Sequence, residues 1–275
     1  MNKDKKEFLV EKARQIRVDA VKAVYLAKSG HPGGALSIAD ILSYLYFEEM
    51  NVDPKEPDKA DRDRLVLSKG HACPALYAAL SEKGFFSKDV LWTFRKYGSI
   101  LQGHPDMKHI PGVDMSTGSL GQGVSAACGM ALSGKTSNKD YRVYAILGDG
   151  EIEEGQVWEA AMFASHYKLD NLCIFVDYNG LQVDGTVEEV IGPAPIDEKF
   201  RSFGWNVVVI DGHDLEQIEK AVENAKATKG KPTAIIAKTV KGKGVSYMEN
   251  AVGWHGKAPN DEEFAIAMKD LGENA

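Results

Sequence analysis

Apolar and polar positions along this chain fall into blocks, and the period changes from one block to the next. Between residues 8 and 28, Ala13, Ile16, Ala20, Val21 and Val24 recur on one helical face, and Ser29-Gly30 supplies a glycine stop, so the pattern predicts a long first helix. A second helix is expected over 37–50, then a polar, proline-containing connection over 51–64. The run 64–67 reads as a short strand ending at Ser68-Lys69-Gly70-His71. Helices are expected over 74–83 and 88–97. The stretch 98–123, rich in Gly, Pro, His and Asp, is a connection of a length that is usually functional or disordered. A helix of small residues follows over 124–133, where Ala126, Ala127, Gly129 and Ala131 permit close packing.

The second half is more regular. An apolar strand over 142–147, a helix over 156–167 and a second apolar strand over 171–177 make a βαβ unit, which carries parallel strands and a right-handed crossover. A strand over 205–210, a helix over 215–227 and a strand over 233–238 continue the alternation, and 241–260 reads as a Gly-rich loop. No repeat or low-complexity segment interrupts it. Alternating strands and helices predict an α/β fold with a parallel sheet covered on both faces. The 275 residues are expected to form one domain.

Composition changes this picture little. The chain is 44% hydrophobic and 27% charged, ordinary for a globular protein. No apolar run approaches the roughly 20 residues of a membrane helix. The charged start, Met1 to Glu7, has no signal-peptide character, so a cytoplasmic location is expected. A net charge of −7 argues against a nucleic-acid partner but leaves room for a small anion, whose site is built locally from backbone N–H groups, metals and a few side chains. Cys73, Cys128 and Cys173 have neither disulfide nor metal spacing, and Cys128 and Cys173 read as core residues.

In open parallel sheets, ligands bind beyond the carboxyl ends of the strands. Asp149, within Gly148-Asp149-Gly150, follows one strand of the βαβ unit, and Asn179 follows the other, 30 residues on. A carboxylate and an amide oxygen at one sheet edge are hard ligands suited to Mg²⁺, and the surrounding glycines let backbone N–H groups approach an anion. Alone, Gly-Asp-Gly is as well explained by a tight turn; paired with Asn179-Gly180 it resembles the thiamine diphosphate fingerprint. Of seven histidines, His109, His166 and His213 fit solvated or structural positions. His31, His71, His104 and His255 sit in Gly- or Pro-rich loops, and together they suggest a polar pocket for proton transfer.

Seven ordered motifs resemble the N-terminal domain of the transketolase family. They are Ser29-Gly-His-Pro-Gly33, Leu67-Ser-Lys-Gly-His71, Gly103-His-Pro105, Ser116-Thr-Gly-Ser-Leu-Gly-Gln-Gly123, Gly148-Asp-Gly150 with Glu154-Gly155, Asp177-Tyr-Asn-Gly180, and His255-Gly256. The resemblance implies a three-layer thiamine-diphosphate-binding α/β fold with a mostly parallel sheet flanked by helices. It implies Mg²⁺, with Ca²⁺ or Mn²⁺ as substitutes, on Asp149, Asn179 and the Leu181 carbonyl. Gly150, His71 and His255 would contact the diphosphate, and Gly118 and Leu120 would lie against the cofactor. His31, His104 and His255 would face the sugar as catalytic groups, with Ser29 at the same end, and Glu154 would stand at a subunit contact. The implied reaction moves a two-carbon ketol unit from a ketose phosphate to an aldose phosphate, as in the pentose phosphate pathway, with the cofactor supplying the carbanion and the electron sink. Ser119, Tyr178 and the stretch Gly34-Ala35-Leu36-Ser37 depart from what many relatives carry; they bear on the sugar rather than on the cofactor.

The resemblance also implies something missing. Full-length transketolases add a pyrimidine-binding domain, with a glutamate that activates the cofactor, and a C-terminal domain, and neither is expected here. A split enzyme follows, in which a C-terminal subunit of about 300 residues, enough for two domains, joins this chain, two copies of each forming an α2β2 heterotetramer. Two other readings stand beside it. The α-type chain of another two-chain thiamine enzyme, a 2-oxo-acid dehydrogenase or a pyruvate-using sugar synthase, shares the Asp149 and Asn179 logic but leaves the histidine loops unexplained. A non-catalytic cofactor-binding module needs no sugar-facing acids and bases.

Overall fold

Parallel strands buried on both faces read as continuous apolar runs, and four largely buried runs with a fifth, partly exposed one at the sheet edge form the centre of this molecule. The computed structural model describes residues 1–273. In chain order its first half comprises α1 (Lys3–Ala27), α2 (Pro32–Leu36), α3 (Ala39–Tyr44), β1 (Arg64–Leu67), α4 (Cys73–Lys83), α5 (Lys88–Leu91) and α6 (Gln122–Thr136). The second half comprises β2 (Val143–Gly148), α7 (Gly155–His166), β3 (Leu172–Tyr178), α8 (Val187–Val190), α9 (Ile196–Ser202), β4 (Asn206–Asp211), α10 (Leu215–Ala227), β5 (Thr233–Lys238) and α11 (Asp261–Asp270).

The five strands pair in the order β1-β2-β3-β5-β4, and every pairing is parallel. Side chains alternate between two cores. Tyr144, Ile146, Cys173 and Phe175 point to one face, where α1, α3, α4 and α10 cover them. Val143, Ala145, Leu147, Ile174 and Val176 point to the other, against α6, α7 and α9. The result is the expected three-layer α/β arrangement, with a sheet that is wholly parallel. Cys73, Cys128 and Cys173 are all free and buried. No helix among the described residues is long and apolar enough to cross a membrane.

Two expected helices are redrawn. The helix expected over 37–50 begins earlier, with Pro32 in the first turn of α2, and the chain continues as α3 and a wide turn over Leu45–Glu49. Proline suits that first turn because its missing N–H would have no helical partner. The helix expected over 88–97 stops at Leu91. Beyond it Arg95 turns into the left-handed region, φ +58°, and its amide donates to the Leu101 carbonyl at 2.9 Å. The segments α8, α9 and α11 have no counterpart in the sequence pattern; α8 and α11 each open with a capping box, Thr186 with Glu189 and Asn260 with Glu263.

Register positions the site. Gly148 pairs with Asp177 across the β2–β3 edge, so the residues just beyond them, Asp149 and Asn179, leave the sheet at the same end. On the far side of β3, Tyr178 pairs with Lys238 of β5, which sends the loop carrying Lys241 to that end as well.

Candidate active site

Asp149 and the turn after β3 are in direct contact. The Gly180 N–H donates to Asp149 Oδ2 at 2.6 Å, and the Gly150 N–H donates to Oδ1 at 2.9 Å. Asn179 is held with its amide in a fixed sense: Nδ2 donates to Asp177 Oδ2 at 2.8 Å, which leaves Oδ1 to accept from the Leu181 N–H at 3.2 Å. Asp177 is fully buried and also bonded to Ser37, Lys69 and Thr239. Burial alone would raise its carboxyl; the Lys69 ammonium and the hydrogen bonds outweigh that and hold it below the usual carboxylate range. Asp149 goes the other way. Burial and the neighbouring Asp177 charge push it up to about 7, so its ionised form calls for a cation.

These groups open into a cavity of about 130 Å³ lined by, among others, His71, Leu120, Asp149, Gly150, Asn179, Leu181, Lys241 and His255. Its lining also carries basic groups beside this turn. Lys241 Nζ donates to the Leu181 carbonyl at 3.0 Å and to His255 Nδ1 at 2.8 Å. Burial and then the Lys69 charge lower Lys241 to about 8. Gly34 lies against these groups: a Cβ there would stand 3.5 Å from Lys69 Nζ and 3.6 Å from His71 Nε2. A carboxylate seeking a cation beside two buried ammonium groups and an imidazole fits a diphosphate held with a divalent ion.

The four loop histidines converge. The His31 ring lies 5.4 Å from that of His71, 5.6 Å from His255 and 6.4 Å from His104. His71 and His255 are 5.1 Å apart. Burial, then Arg95, His104 and Lys241, lower His31 to about 4. Burial, then Lys241 and His31, lower His255 to about 3. His71 is pushed well below the ordinary value by burial and Lys69, and His104 is lowered by desolvation and Arg95. The cluster is therefore neutral at physiological pH, and each ring offers one N–H and one lone pair.

The remaining expected residues fall around this centre. Ser29 joins it through Arg95, whose Nη1 donates to Ser29 Oγ at 2.8 Å. Gly118 packs on His104, where a Cβ would approach the ring to 3.3 Å. Glu154 does not line the cavity: it is exposed, precedes α7 and lies against Gly121. His213 stays structural, bonded to Asp40 and to the Val240 amide, and His109 pairs with Asp106.

Several residues of the site carry no motif. Glu151 is buried under the cavity and accepts from Ser68, Gly121 and Gly148, tying three loops together. Lys241 is legible in principle, because it lies just beyond the carboxyl end of β5, the other neighbour of β3. Arg95 carries no such signal, since it lies in an expected helix.

Comparison with known proteins bears on the family and the fold. The family described as "Transketolase, thiamine diphosphate binding domain" matches residues 8–275. The chain is 46% identical to the 6-deoxy-6-sulfo-D-fructose transketolase subunit SqwG of Clostridium sp. (strain MSTE9), over 96% of each chain. It is 43% identical to an apulose-4-phosphate transketolase subunit of Phocaeicola vulgatus, over 97% of this chain and 95% of that one. Among solved structures, transketolase from Leishmania mexicana superposes with a TM-score of 0.92 at 34% identity, covering 97% of this chain and 41% of that one. The chain thus spans about two fifths of the single-chain enzyme. By sequence, by fold and by the sheet edge that gathers its motifs, the chain belongs to the transketolase family, in the part described as its thiamine diphosphate binding domain.

Proposed function

We propose that this chain is the cofactor-binding subunit of a two-chain transketolase. It would hold thiamine diphosphate and Mg²⁺ and act with a C-terminal partner subunit to pass a two-carbon ketol unit from a ketose phosphate to an aldose phosphate. The observation that carries the reading is the meeting of Asp149 and the Asn179–Leu181 turn at one sheet edge, together with Lys69, Lys241 and four converging histidines.

Asp149, Asn179 Oδ1 and the Leu181 carbonyl would hold the metal, which suits a hard oxygen set. The Gly150 amide, His71, His255 and Lys241 would hold the diphosphate, and Gly118 and Leu120 would lie along the cofactor. When bound, thiamine diphosphate supplies the nucleophilic carbon and the electron sink for breaking the donor's C–C bond. The chain's own residues do the rest. Asp177 orients the Asn179 amide. Ser29 and His104 would contact the sugar hydroxyls, His31 and His255 would assist the transfer of the donor hydroxyl's proton as hydrogen-bonding or proton-accepting groups, and the partner subunit would close the site against water.

The two-chain arrangement is supported by coverage: the chain matches nearly all of two proteins named as transketolase subunits and about two fifths of a single-chain transketolase. An α2β2 assembly in the cytoplasm completes the proposal. The names of the two subunit relatives carry different sugars, so the donor is assigned only as a ketose phosphate. The site reading is tested by calorimetry with thiamine diphosphate, with and without Mg²⁺. Mg²⁺-dependent binding to the wild-type chain, and its loss in a folded Asp149→Ala variant, is the expected result. Unchanged cofactor affinity in that variant would remove the metal assignment.

A further inference from the structure

Arg95 reaches the histidine cluster from outside every motif. Its backbone leaves the helical path at φ +58°, a region costly for a residue with a Cβ, and that turn aims the guanidinium at two loops of the site, one carrying Ser29 and His31 and the other Gly103. Nη1 donates to Ser29 Oγ at 2.8 Å, Nη2 donates to the Gly103 carbonyl at 3.4 Å, and Nη2 lies 3.5 Å from His31 Nδ1. The Nε atom is buried without a partner. Gly103 is required for this placement, because a Cβ there would fall 2.8 Å from Nη2.

A guanidinium carries donors only and stays protonated in proteins. The ring nitrogen that faces it has to present a lone pair, since an N–H at that position would point at a cation. We propose that Arg95 is a positioning residue that fixes His31 in the tautomer protonated on Nε2, so that His31 meets the sugar as an N–H donor and not as a resting base.

The opposite edge of the ring supports this. A Cβ at Gly256 would lie 3.4 Å from His31 Cδ2 and 3.5 Å from Nε2, so Nε2 faces the loop of His255, inside the cluster. The charged and titratable groups around His31 are Arg95, His71, His104, Lys241 and His255, and none of them is a carboxylate. The ring therefore stays neutral, and the tautomer decides its role. The inference rests on the reading of the cluster as the sugar end of a transketolase site. It deepens that reading: His31 stabilises negative charge developing on a sugar oxygen, and the proton leaving the donor hydroxyl goes to a different acceptor.

The test is ¹⁵N NMR of the histidine rings in the full chain, with His31→Gln assigning the His31 signals by their loss. At about pH 7 the wild type is expected to show Nε2 protonated and Nδ1 bare. Arg95→Gln should populate the Nδ1–H form and move the His31 titration midpoint from about 4 toward 6.5. Arg95→Lys, which keeps a cation with donors only, should retain the wild-type tautomer. A protonated Nδ1 in the wild type overturns the proposal, as does an Arg95→Gln spectrum unchanged in both tautomer and midpoint. If Arg95→Gln does not fold, the wild-type tautomer decides alone. No cofactor, sugar or partner enters the experiment, so its failure is separate from failure of the transketolase reading, which shows instead in cofactor binding.

Discussion

Asp149 and His31 border the same site, and their surroundings push them in opposite directions. Burial and Asp177 raise the carboxyl of Asp149 to about 7. Burial and Arg95 lower the imidazole of His31 to about 4. A metal has to displace the Asp149 proton at lower pH, so Mg²⁺-dependent binding should weaken about tenfold per unit below pH 7, with proton release visible by calorimetry in two buffers of different ionisation enthalpy. Affinity flat from pH 7 to 5 would contradict the assignment. The histidines bear on stability. His31 and His255 have folded values below the unfolded value of 6.5, so between 6.5 and about 4 the unfolded chain binds more protons. Their contribution to stability is present above 6.5 and is lost as pH falls through that window. A His31→Asn, His255→Asn double variant should therefore lose less stability than the wild type between pH 7 and pH 5, read as urea midpoints; equal losses would argue against the depressed values. His104 is exposed at the rim. His104→Ala should keep cofactor affinity while lowering turnover of the assembled enzyme by roughly 10²-fold, the scale of one lost catalytic group.

At the scale of elements, the βαβ unit is the most legible part of the sequence because strands buried on both faces leave little alternative to an apolar run between glycine turns. It places Asp149 and Asn179 at one edge, and the parallel register with Gly148 opposite Asp177 is what makes them meet. The histidine convergence is legible only through the motifs, since periodicity says nothing of how four loops fold over a sheet edge. The helix expected over 88–97 fails for a tertiary reason: the Arg95 amide is taken by Leu101, and the turn serves the site. The short helices after β3 and at the tail lack a clear apolar period, although their capping boxes, Thr186 with Glu189 and Asn260 with Glu263, are present in the sequence. Glu151 links elements that no pattern connects. It accepts from the Ser68 hydroxyl, the Gly121 amide and the Gly148 amide. Glu151→Ala strands these donors, at about 1–3 kcal/mol for each left unsatisfied. The urea midpoint should fall strongly, and less in Glu151→Gln, which keeps an acceptor oxygen. Equal midpoints in wild type and Glu151→Ala would mean that the three loops are held by other contacts.

At the scale of the whole molecule, two cores back the sheet, and the site lies at its carboxyl edge, where Leu120, Gln182 and Val183 also border the cavity. On the two-chain proposal, what this chain brings would act on the diphosphate, the metal and one end of the sugar. The groups that would activate the pyrimidine and hold the sugar phosphate belong, on the two-chain proposal, to the partner. The most direct test is ketol transfer from xylulose 5-phosphate to ribose 5-phosphate, measured with Mg²⁺ and thiamine diphosphate for this chain alone, for the chain with its C-terminal subunit, and for Asp149→Ala with that subunit. Transfer is expected only in the wild-type pair. Full activity of the single chain, or of the Asp149→Ala pair, would contradict the proposal.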